Sequence, residues 1–156
     1  MSKHIAHLSE SEKELIRLSP LYVSALIAGA DGDFSSDEKK RVLELVHIKT
    51  YSEKFGLKDL YTNLDANVEE DLRIIIASLP EAQEERNEYL VKKISALNPI
   101  LEKVAYSYSH SLYRSLKEFA HYIANVDGGF WGMGSVKQSE EAFLTLDMLN
   151  EPQKPE

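Results

Sequence analysis

At 156 residues the chain suits one domain, able to bury roughly two-thirds of its unfolded surface. Its 26 acidic residues against 18 lysines and arginines leave a net charge of -8, which argues against a nucleic-acid footprint built on clustered cations. With no cysteine in the chain, disulfides, thiolate metal sites and thiol catalysis are excluded.

The opening "MSKHIAHLSESEKE" lacks the apolar core of a signal peptide. Residues 1–9 are expected to be a flexible lead into a domain spanning 10–150. A short helix is expected around Glu10 to Leu18. Ser19 and Pro20 then read as the N-cap and first-position proline of a second helix through Leu21, Ala25, Leu26 and Ala28. The run "LYVSALIAGA" is about half a membrane span and reads as a buried helix. A soluble, cytoplasmic protein without direct membrane insertion is therefore expected.

Ser35 starts the next helix, because "SSDE" places Glu38 where a capping box needs it. Val42, Leu43, Leu45, Val46 and Ile48 form its apolar stripe. Gly56 reads as a helix stop, Leu57 to Leu64 as a short helix, and Asn67 as the cap of "VEEDLRIIIASL" before Pro80. The segment "EAQEERNEYLVKKISAL" has acids first and lysines later, as the helix dipole prefers. After Asn98-Pro99 a long helix carries Leu101, Val104, Tyr108, Leu112, Leu116, Phe119 and Ile123 at spacings of three and four. A last helix is expected over about Gln138 to Leu149, with residues 151–156 as a flexible tail. No stretch alternates as a strand would. The pattern predicts an all-α, compact single-domain bundle of six to eight helices.

The two ends of the chain echo each other. "ALIAGADGDF" aligns without gaps on "HYIANVDGGF", matching Asp31 to Asp127, Gly32 to Gly128 and Phe34 to Phe130. Val136 to Glu140 then repeats the spacing of Phe34 to Glu38. Each copy reads as helix, Asp-Gly turn, apolar plug, and a helix opening with glutamate, which suggests an internal pseudo-twofold repeat.

The first copy also resembles the second half of an EF-hand calcium loop. Asp31, Gly32, Asp33, Phe34, Ser35 and Glu38 fall on its acid, glycine, carbonyl, apolar, hydroxyl and glutamate places. Ile27 and Gly29 stand where the earlier side-chain oxygens belong, so a complete loop is ruled out. The half loop offers about three or four oxygens where calcium takes roughly six to eight, and Asp127 and Glu140 could supply more. An all-oxygen set suits calcium, magnesium or manganese. The competing reading needs no metal: Asp-Gly makes a turn and Ser-x-x-Glu caps a helix.

At these residues the chain resembles the tellurite-resistance protein B (TerB-like) family. "AGADGDFSSDE" looks like that family's signature turn, and "IANVDGGFWGMGSVKQSEE" like its glycine-rich second turn. The resemblance implies a helical domain with internal pseudo-symmetry and a stress or metal-related role through protein association. It implies Asp31 and Glu38 as acidic cation ligands in the first turn, and Asp127 and Glu140 in the second. Asp33 and Ser35 would assist.

The remaining candidates are weaker. His121 lies close enough to Asp127 to reach it, although a partly buried helix histidine is the simpler expectation. Glu81, Glu84, Glu85 and Glu88 form either an acidic stripe for a basic partner or a solvated helix face. In "GGFWGMGS", Trp131 and Met133 either plug the helix ends or anchor a protein partner. No nucleophile elbow, phosphate-cradling loop or His-Glu-x-x-His helix is present, so catalysis is not expected.

Overall fold

A computed structural model describes residues 3–29, 35–52, 56–127 and 143–155. The first helix, α1 (Glu10–Ala28), begins at a capping box. Ser9 Oγ accepts from Glu12 N at 3.2 Å, and Glu12 Oε1 accepts from Ser9 N at 2.9 Å. The helix then passes straight through Pro20 instead of restarting there. An interior proline lacks the N–H that would bond the carbonyl four residues back, which here is Ile16. Ser19 Oγ donates to Ile16 O at 2.7 Å and fills that gap. Ser24 Oγ likewise donates to Pro20 O at 2.8 Å. The expected cap at Ser19 is thus corrected, since its hydroxyl serves the turn behind it rather than the one ahead. Every residue from Ser19 to Ala28 is buried, as befits a helix apolar on all sides.

Around this central rod pack α2 (Ser36–Ser52), α3 (Gly56–Ala77), α4 (Gln83–Ser95), α5 (Leu97–Leu101) and α6 (Tyr106–Asp127). Gly56 begins α3 rather than stopping a helix, and the two segments expected around Asn67 join across a kink there (φ -134°, ψ 20°). Pro99 lies inside the short α5. The long helix therefore starts only at Tyr106, and Leu101 and Val104 fall before it. Its inward stripe is Tyr108, Leu112, Leu116, Phe119 and Ile123, all buried.

Polar groups tie the helices together at chosen points. Arg17 of α1 donates to Asp71 of α3 at 2.6 Å and also holds Glu14. These two carboxylates push the guanidinium pKa further up, the Glu14 bond contributing most. Tyr61 of α3 shares a hydrogen bond with Ser115 of α6 and stacks on Phe119, with ring centroids 5.9 Å apart. At the other end of the chain the expected helix ends early. Among the described residues there, 143 and 144 are helical, and Leu146 takes a positive φ of 52°, uncommon for a leucine. Leu146 and Leu149 are nonetheless buried in the core. Asn98 fastens this segment through its amide, donating to Met148 O at 2.9 Å and accepting from Asn150 N at 2.8 Å.

The result is an all-helical bundle of five long helices and the five-residue α5, with no strand among the described residues. One apolar cluster contains residues from all six segments. No helix among the described residues is long and apolar enough to cross a membrane.

Candidate functional site

The start of α2 is the described part of the acidic pattern. Ser35 Oγ accepts from Glu38 N at 3.1 Å, and Glu38 Oε1 accepts from Ser35 N at 2.8 Å. Lys39 N completes the first helical turn onto Ser35 O at 3.0 Å. The capping box read from "SSDE" is therefore formed, which satisfies two backbone donors that a helix start would leave open. Glu38 is only 1% exposed. A carboxylate so placed draws support from the backbone N–H groups and from the positive end of the helix dipole.

Two contacts orient this corner. Arg41 of α2 reaches Tyr122 Oη of α6 at 3.3 Å, and Lys49 of α2 reaches Glu118 at 3.2 Å. The later residue of α2 meets the earlier residue of α6, so the two helices run in opposite directions. The start of α2 and the end of α6 consequently share one end of the bundle. Asp127 is the last residue of α6, and its side chain lies outside what is described. The last turn of α1 has no basic residue of its own. Arg86, from α4, approaches Gly29 O at 3.5 Å, bringing positive charge to a helix C-terminus that favours it.

Of the six residues singled out as ligands, Ser35 and Glu38 are brought together. Asp31, Asp33 and Glu140 lie outside the described residues, as do Trp131 and Met133. Among the described residues, no three of His, Asp and Glu gather as a metal cage would need. His121 is exposed on α6, not partly buried. Glu81, Glu84, Glu85 and Glu88 are all exposed, as on a solvated helix face.

One feature went unread in the sequence. Between α2 and α3 lies an open groove with a volume of about 590 Å³. Leu43, Leu72 and Ile76 line it, with Lys39, Lys40 and Arg73 among them. Arg73 pairs with Glu70 on its own helix. Lys39 and Lys40 have no ion-pair partner among the described residues. The signal was available: Lys39 and Lys40 stand four and three residues before Leu43, and Arg73 stands three before Ile76. Those spacings put cation and apolar group on one helix face.

Comparison with protein-family models, curated proteins and solved structures found no match to the chain.

Proposed function

We propose that this chain is a TerB-like helical module that acts by associating with another protein in a stress or metal-related response, without catalysis. In this proposal a divalent cation of the calcium, magnesium or manganese class binds at the Asp-Gly-Asp stretch between α1 and α2. Asp31 and Glu38 are the main ligands, Asp33 and Ser35 assist, and Asp127 and Glu140 complete or duplicate the site through a pseudo-twofold repeat. The observation that carries the proposal is the burial of the Glu38 carboxylate at a helix start beside this stretch. A buried carboxylate beside further acids carries charge repulsion that an ion relieves, so ion binding stabilises the fold by linkage.

A second proposal keeps the association and drops the ion. It is favoured by the capping geometry, because Glu38 Oε1 already accepts the Ser35 N–H. Thermal melts with millimolar calcium, magnesium and manganese separate the two. Wild type is expected to melt higher with the effective ion, and the Asp31→Asn, Glu38→Gln pair to lose that shift. Glutamine still serves a capping box, so the pair removes charge while keeping the cap. A wild-type melt unmoved by every ion removes the cation, and a shift retained in the double variant moves it elsewhere.

A further inference from the structure

The groove between α2 and α3 is apolar at its base and carries cations at its edges, within a chain whose net charge is -8. From Ser36 to Leu43 and from Glu69 to Ala77 its walls are about 10–12 Å long at the helical rise per residue. That length takes about two turns of a partner helix. Leu43 and Ile76 are half-buried, while Lys39, Lys40 and Arg73 are exposed around them. Such an arrangement fits the helix-in-groove mode, in which apolar anchors at i, i+3/i+4 and i+7 enter the groove and flanking charges set the choice of partner.

We infer that this groove binds an amphipathic helix of a partner protein, one with an apolar face flanked by aspartate and glutamate. The inference deepens the association proposed above and rests on it. Charge complementarity selects the occupant. A basic helix would face Lys39 and Lys40, which have no ion-pair partner among the described residues, whereas an acidic one is matched by them on the α2 side; on the α3 side Arg73 is already held by Glu70. Glu69, at the wall on the α3 side, biases the acidic flank towards the lysines. None of the residues assigned to the cation lines the groove, so binding there requires no ion.

The test pans the full chain against a display library of roughly 18-residue helical peptides without charge bias. Enriched peptides are then titrated by fluorescence anisotropy against wild type and against Lys39→Glu, Lys40→Glu. Both lysines are exposed, and circular dichroism confirms that the variant keeps its helices. The expected result is enrichment of acidic amphipathic peptides, a loss of affinity of about tenfold or more in the variant, and weaker binding at high salt. Basic enriched peptides, or affinity unchanged in the variant, overturn the groove while leaving association intact. No enriched peptide at all likewise overturns the groove, and leaves association through another surface intact. Self-association of the free chain that the variant abolishes assigns the groove to a second copy and overturns the acidic partner.

Discussion

The helix starts at Ser9 and at Ser35 use one four-residue device in opposite surroundings. At Ser9 the glutamate of the box stays partly exposed, and its other oxygen is bound by Lys103 from the turn before α6. At Ser35 the corresponding glutamate is sealed away. The local bonds are nearly the same: each box joins a serine hydroxyl to the third backbone N–H and a glutamate oxygen to the serine N–H. The tertiary cost differs, because an exposed carboxylate keeps water as a partner and a buried one depends on the protein. A sequence motif therefore specifies the cap, while the packing around it decides how much depends on the cap.

The largest effect should come from Glu38→Ala. It removes the glutamate half of the capping box and leaves the Ser35 N–H without its acceptor, while Ser35 Oγ keeps the backbone N–H of residue 38, at a cost of about 2 kcal/mol. For a chain of this size that lowers the melting temperature by about 5 °C. Glu38→Gln should recover most of the loss. If glutamine proves as damaging as alanine, the buried charge matters more than the cap, and the two starts differ in kind. Ser9→Ala should cost about 1 kcal/mol, measured by urea denaturation with unchanged slope.

The smallest effect is a pH dependence confined to the exposed box. The Lys103 ammonium, with the Ser9 N–H behind it, lowers the Glu12 pKa from 4.5 to about 2. Between those values the unfolded chain binds more protons than the native one, so stability rises with pH there. Glu12 thus stabilises fully above pH 4.5, and its contribution is lost as pH falls towards 2. Lys103→Met should raise the Glu12 pKa in a carboxylate NMR titration and flatten this acid limb. An unchanged titration would show that Lys103 is incidental and the exposed box self-sufficient.

Most of the helical architecture was legible because apolar residues recur at helical spacing and few glycines interrupt them. The boundaries were less legible where a tertiary or side-chain partner replaced a local rule. Pro20 reads as a first-turn residue on propensity alone, yet Ser19 makes an interior position tolerable by bonding Ile16 O. Pro99 belongs to the short α5, so its presence did not mark the start of the long helix. The segment before Leu149 has apolar spacing suited to a helix, but Leu146 and Leu149 reach the core through turns anchored by Asn98. At the candidate site, the Ser35–Glu38 cap could be read from four letters. The burial of Glu38 could not, since it depends on how α2 settles among its neighbours. The groove was missed because its two walls come from separate helices, and a linear pattern does not say which helices become neighbours.

Asn98 gives the molecule a removable clasp. Its one amide meets both a carbonyl and an N–H of the closing segment, as a neighbouring β-strand backbone would, although neither side is a strand. The buried leucines at 146 and 149 therefore sit at a latch of two bonds. If residues 143–150 open locally before the helices do, apolar surface at Leu146 and Leu149 is exposed first. Hydrogen exchange at the Asn150 amide, faster than in the α1 core, would report that opening. Slow exchange there instead would show that the burial of Leu146 and Leu149 holds the segment as firmly as a helix would.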